Sequence, residues 1–167
     1  MSGQAGLRML SGSPVNREFV MAMHDVTGGC QCGAIRYTVS DPLPPAYACH
    51  CGECKKQSAS AFSMSIAIGF DRLKVAGQPV FHESRAYSGA RKLAYFCGKC
   101  GTRLWHRSAE DSDMITLKVG TLDDAVTISP RGHLWVSKKQ PWIVIPEGVS
   151  AFETQPEDVR AWRENLV

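Results

Sequence analysis

The sequence has no long hydrophobic run. No apolar stretch in its 167 residues approaches the roughly 18–20 needed to cross a bilayer. The N-terminal stretch from Met1 to Val26 holds nothing like the apolar segment of a secretory signal. No membrane partner is therefore expected, and a cytoplasmic protein is. Blocks of one charge are also missing. The 19 Lys and Arg and the 16 Asp and Glu are spread along the chain for a net charge of +3. With no basic tail or stripe, no nucleic-acid partner is expected. Helical periodicity is scarce and no long repeat is visible. An even cysteine count is lacking too: seven cysteines cannot all pair within one chain. In a reducing compartment they point to metal ligation rather than disulfides. What remains, 44% hydrophobic and 21% charged residues, suits one domain with a full core.

The seven thiols fall into three clusters: Cys30-Gln31-Cys32, Cys49-His50-Cys51-Gly52-Glu53-Cys54 and Cys97-Gly98-Lys99-Cys100. Residues 1–25 are small and polar without sustained periodicity, and Met21 and Met23 are alternative starts. An N-terminal extension, disordered or non-native, is expected there, followed by one domain over 26–167. Gly28 to Gly33 is a glycine-bracketed turn holding two thiols. Ile35 to Val39 alternates as a half-buried strand, and Phe62, Met64, Ile66 and Ile68 alternate with Ser63, Ser65 and Ala67 as the clearest one. Weaker strands are expected over 72–75, 80–87, 93–96, 104–106 and 133–136, with another alternating over 115–119. Residues 55–60 offer one helical turn. The one convincing helix lies at the end, where Thr154-x-x-Glu157 has a capping-box pattern with Pro156 in its first turn, and Val159, Trp162 and Leu166 form a stripe. The class is mainly β, with a short C-terminal helix.

Seven thiols divide into four plus three. Four would close a structural zinc site; three would leave the open position of a catalytic one. Spacing alone does not settle which clusters combine. A zinc-ribbon pairing of Cys51/Cys54 with Cys97/Cys100 leaves an awkward remainder, whereas Cys30/Cys32 with Cys97/Cys100 keeps Cys49, Cys51 and Cys54 together, and is preferred.

The ordered set Gly28-Gly-Cys-Gln-Cys-Gly33, Cys49-His-Cys-x-x-Cys54, Ser60-Ala-Phe62, Phe96-Cys-x-x-Cys-Gly-Thr102 and His133-Leu-Trp135 resembles the glutathione-dependent formaldehyde-activating (Gfa-like) family. That family also includes the domain of a vertebrate centromere protein. The resemblance runs from about Thr27 to Pro146. It implies an Mss4-like zinc-binding fold of short antiparallel sheets and two Zn2+ per chain. One is structural at Cys30, Cys32, Cys97 and Cys100; the other is catalytic at Cys49, Cys51 and Cys54. It also implies carbon–sulfur lyase chemistry joining glutathione and formaldehyde as S-(hydroxymethyl)glutathione.

Zinc with three thiolates carries a formal charge of −1, so thiol capture is favoured over water activation. A bound substrate thiolate makes it −2 and calls for a cation, which Lys55 and Lys56 are placed to supply, although exposed lysines are more often solvated. Ser58 and Ser60 are candidates to hydrogen-bond metal-bound sulfur, Arg91 to bind a substrate carboxylate, and His133 to line the site. His50 and Glu53 are expected to face water. Trp135 is expected to pack, and Trp105, Trp142 and Trp162 to serve core or edge packing. The segments from Gly69 to Gly89 and Gly120 to Gly132 are expected to shape a pocket. Three functions compete: a zinc lyase on a small thiol adduct, a non-catalytic zinc module for a protein partner, and a metal- or thiol-handling protein.

Overall fold

The computed structural model describes residues 25–86, 89–110 and 113–167. The extension expected over 1–25 therefore lies outside the described residues except for Asp25, as does Tyr87 of the expected 80–87 strand. Eleven strands and two α-helices follow in chain order: β1 Val26–Gly29, β2 Arg36–Val39, β3 Ala46–Cys49, α1 Gly52–Ser58, β4 Ser63–Gly69, β5 Leu73–Ala76, β6 Val80–Arg85, β7 Arg91–Phe96, β8 Arg103–Ser108, β9 Met114–Lys118, β10 Pro130–Leu134, β11 Ser150–Phe152 and α2 Val159–Glu164. Among the described residues no helix is long and apolar enough to cross a membrane.

The strands make a three-stranded sheet, β1-β2-β5, and an eight-stranded sheet in the order β11-β10-β3-β4-β9-β8-β7-β6. Neighbours are antiparallel except at β10, which runs parallel to both β3 and β11. Short turns force antiparallel partners, whereas the long connection from β3 to β10 permits a parallel one. The small sheet packs on one face of the large one. Tyr37, Val39 and Leu73 from the former meet Ile66, Ile68, Ile115 and Leu117 from the latter in a continuous core. The period-2 alternation of β4 sends Ile66 and Ile68 into this core.

The opposite side of β4 does not meet water. Ser63 and Ser65 are buried, because the far face of the large sheet is covered by a second cluster. There Tyr47, Cys49, Leu134, Trp135 and Leu166 pack with Val159 and Trp162 of α2.

Both helices differ from their sequence expectations. α1 begins inside the cysteine run: Cys51 is its N-cap, and the Cys51 sulfur accepts a hydrogen bond from the Cys54 N–H at 3.4 Å. The Thr154 capping box does not form. Asp158 is the N-cap of α2 instead and accepts from the Ala161 N–H at 2.9 Å. Pro156 restricts Gln155 to extended backbone, and the Thr154 carbonyl already accepts the Trp135 N–H at 2.6 Å. The apolar stripe of Val159, Trp162 and Leu166 does pack as expected. The 141–146 stretch is turn and coil, with Ile143 buried but Trp142 71% exposed, against the packing expected of that tryptophan. Nothing in the structure explains its exposure.

Gly132 on β10 marks where α2 docks. A Cβ there would lie 2.5 Å from Trp162 Cζ2 and 2.8 Å from Leu166 Cδ2. Gly132→Ala is expected to push α2 off the sheet and destabilise the fold by about 1–3 kcal/mol, read as a lowered Tm; an unchanged Tm would refute this account of the docking.

Candidate metal centres

The first sulfur group joins the two sheets. Cys30 and Cys32 lie in the β1–β2 turn and Cys97 and Cys100 in the β7–β8 turn, with all four sulfurs within 4.8 Å of one another. Cys30 Sγ is 3.6 Å from Cys32 Sγ, and Cys32 Sγ is 3.8 Å from Cys97 Sγ. A zinc ion with ~2.3 Å bonds to four sulfurs in a tetrahedron would set them roughly 3.8 Å apart, so the donor set fits such an ion in both chemistry and spacing. Local polar groups support the sulfurs. The Ile35 N–H donates to Cys30 Sγ at 3.2 Å. Thr102 Oγ1 accepts from the Gln31 N–H and touches Cys100 Sγ, each at 3.2 Å. That hydroxyl is the leading cause holding the Cys100 thiol down at about 5. Thr102 belongs to the sequence motif, but its tie between the two turns was not legible there.

The second group is Cys49 at the end of β3, Cys51 at the helix N-cap and Cys54 in the first turn of α1, also within 4.8 Å of one another. Hydrogen bonds from Cys49 and Cys54 lower Cys51 far below the ordinary thiol range, while Cys51 and Cys54 raise Cys49. Three crowded sulfurs with one favoured thiolate are a donor set that a cation relieves.

His50 is not in this group, and it does not face water as expected. It is fully buried. Its backbone N–H bonds the Leu134 carbonyl at 2.9 Å, which extends the β3–β10 pairing and turns the ring inward. His50 Nε2 lies 2.9 Å from His133 Nδ1, with the rings stacked at 5.2 Å. Burial lowers both, His50 to about 4, so both rings are neutral at pH 7. His133 and Trp135 are both buried. Trp135 lies just past the end of β10 and takes a left-handed φ of 61°, a conformation rare for a bulky side chain.

The buried cation beside the second group is Lys118, not Lys55 or Lys56. From β9 it donates to Ser63 Oγ at 3.0 Å and Ser65 Oγ at 3.2 Å. In register, Ser63 faces Cys49. Burial lowers the Lys118 ammonium to about 8, against the pull of the Cys54 and Cys49 sulfurs. Arg103 on β8, lowered by burial to about 10, also feels the charge of Cys54. The sequence placed Lys118 on the polar side of an alternating strand, and alternation cannot tell whether that side meets water or a helix.

The remaining candidates are placed as follows. Lys55 Nζ donates to the Lys138 carbonyl at 2.8 Å, and Lys56 is exposed. Ser58 Oγ donates to the Cys54 and Phe62 carbonyls at 2.8 and 3.1 Å, so it fastens the helix end rather than bonding sulfur. Ser60 is exposed, with its N–H on the Lys55 carbonyl. Glu53 is exposed, as expected, and reaches Lys92 at 3.4 Å. Arg91 is held by Glu83 at 2.7 Å at the other end of β7 from Cys97, which removes it from the site. Of the tryptophans, Trp105 is a core residue and Trp162 packs edge-on against Tyr47. A cavity of about 620 Å³ opens at this end of the sheet, lined by Lys118, Arg103 and Phe62. Of the two segments expected to shape a pocket, only 120–132 contributes to it, through Gly120, Thr121 and Ala125.

The family model for "Glutathione-dependent formaldehyde-activating enzyme" matches residues 25–138, which span both sulfur groups. The chain belongs to this family. Gfa membership thus covers both sheets up to β10 and leaves β11 and α2 outside the match. A Halomonas elongata protein named "Putative glutathione-dependent formaldehyde-activating enzyme" is 27% identical over 150 residues, 83% of this chain and 94% of that protein. A crystal structure of a Rhodobacter sphaeroides protein aligns with a TM-score of 0.47 at 19% identity, covering 63% of this chain and 92% of that one.

His106 lies on β8 among Lys118, Lys92, Arg103 and Arg163, and burial, then these charges, hold it well below 6.5. The unfolded chain therefore takes up a proton near 6.5 that the folded one refuses. This contribution is complete above that pH and is lost as pH falls below it, at up to about 1.4 kcal/mol per pH unit. Denaturant unfolding of metal-loaded protein between pH 7 and 5 is expected to show a shallower loss of stability for His106→Phe; identical slopes would rule out this role.

Proposed function

We propose that the protein is a zinc-dependent, carbon–sulfur lyase-type enzyme acting on a small thiol adduct such as S-(hydroxymethyl)glutathione. In this reading the thiol is held at Cys49, Cys51 and Cys54, while Cys30, Cys32, Cys97 and Cys100 hold a structural zinc. The observation that supports it is the unequal size of the two sulfur groups. Four sulfurs complete a tetrahedron; three leave one place for an incoming ligand. Bound at the group of three, zinc would supply a position where a thiol is held as its thiolate.

Joining glutathione and formaldehyde forms one C–S bond from the sulfur lone pair. The carbonyl π pair moves to oxygen, which takes up the proton the thiol gave, and the reverse reaction breaks the same bond. The chain's own contribution is charge and exclusion of water. Cys49 is buried under the Leu134–Trp135 segment, and Lys118 sets an ammonium opposite sulfurs that become more negative as a thiolate arrives. Family membership supports glutathione as the thiol.

Protein purified without chelator is expected to hold two zinc ions per chain by elemental analysis. Cys54→Ser is expected to lose one zinc and keep the fold, and Cys97→Ser to lose the fold itself; the opposite pattern would reverse the assignment. Calorimetric titration with glutathione should show binding that Cys49→Ser removes, and equal binding by both proteins would end the case for a thiol at this group.

A further inference from the structure

The 620 Å³ cavity is lined by Cys100 and Thr102 from the β7–β8 turn, by the end of α1, Phe62 and Ser63, and by Lys118 and Arg103. It holds two cations and no carboxylate among its lining residues. Among the described residues neither cation is in an ion pair. Lys118 Nζ spends two of its three donors on the neutral hydroxyls of Ser63 and Ser65. Arg103 Nε donates to the Trp105 carbonyl at 3.2 Å, while its Nη2 is buried without a hydrogen-bond partner. Both cations feel the Cys54 sulfur, but each keeps a donor that no carboxylate fills, and an anionic group arriving with the ligand would take it in a charge-assisted hydrogen bond. The larger cavity, about 920 Å³, has the opposite character: Asp25, Asp41, Asp123 and Asp124 line it with Arg131. An anionic ligand would be drawn to the smaller cavity and repelled from the larger.

From this charge we infer that the smaller cavity binds a carboxylate carried by the thiol substrate, with Lys118 and Arg103 as its counter-charges. The inference rests on the reading of Cys49, Cys51 and Cys54 as the thiol site. Lys118 joins the two places. Its ammonium touches the serine that faces Cys49 in register, and it also lines the cavity. A substrate with sulfur at one end and a carboxylate a few bonds away would span both. Thiols without a carboxylate would leave Lys118 and Arg103 unmet, so the cavity selects acidic thiols.

S-methylglutathione reads the cavity alone, because its blocked sulfur cannot bind as a thiolate. Titrated into zinc-loaded protein, it is expected to bind, and to bind about tenfold more weakly to Lys118→Met and to Arg103→Gln, the loss typical of a charge-assisted hydrogen bond. Circular dichroism checks that each variant is folded. The diester of the same compound, with both carboxylates neutralised, is expected to show a similar loss on the wild-type protein, which requires no variant. No binding to the wild type, or equal affinity for acid and diester, would overturn the inference. The thiol reading is tested separately: if glutathione binds no better than S-methylglutathione and Cys51→Ser changes nothing, that reading fails while the carboxylate result stands.

Discussion

The structure depends on four sulfurs from two turns being held together. Cys30 and Cys32 end a strand of the small sheet, Cys97 and Cys100 link two strands of the large one, and no covalent bond joins the turns. Without a cation, four thiols within 4.8 Å compete for the same few hydrogen bonds. With one, they would fasten the two sheets together, beside the apolar interface and the polar contacts of Thr27, Arg36 and Tyr37 with Thr121 and Asp123 after β9. Thr102 reinforces the join by bonding Gln31 across it. The two sheets therefore meet at the cysteine-bearing turns.

The two faces of the large sheet differ. One face is an ordinary apolar core. The other carries buried polar groups: Ser63, Ser65, Thr116 and Lys118 are all removed from water. A domain of this size gains nothing in stability from burying such groups where apolar side chains would fit, so their place beneath the three-sulfur group is an argument from cost for a role in chemistry.

Much of this was legible in the sequence. The β4 and β9 alternation and the apolar stripe of the last helix depend on local spacing and appear where spacing put them, while the grouping of the thiols into four and three follows the division that kept each cluster whole. Strand β3 was missed because Ala46–Cys49 is buried on both sides, and a four-residue run without alternation has no period to detect. Strand β11 was missed because it is three residues long. Lys118 was passed over for a physical reason. Polar residues on a strand normally mark the wet side, and only tertiary packing turned this side inward. Arg91 was misassigned because proximity in sequence to Cys97 was taken for proximity in space, whereas an extended strand carries a side chain away at about 3.3 Å per residue.

The parallel pairing of β3 with β10 bears on how the protein is made. His50 and His133 are 83 residues apart in the chain, and Cys32 and Cys97 are 65 apart. As synthesis proceeds from the N-terminus, Cys49, Cys51 and Cys54 emerge almost together, able to capture a metal as a bare peptide segment. The fastening between the sheets has to wait for Cys100, and the backing strand for Leu134. Non-local closure of this kind is slow relative to local structure. The nascent chain thus exposes its three clustered thiols before the strand that buries Cys49 has been made.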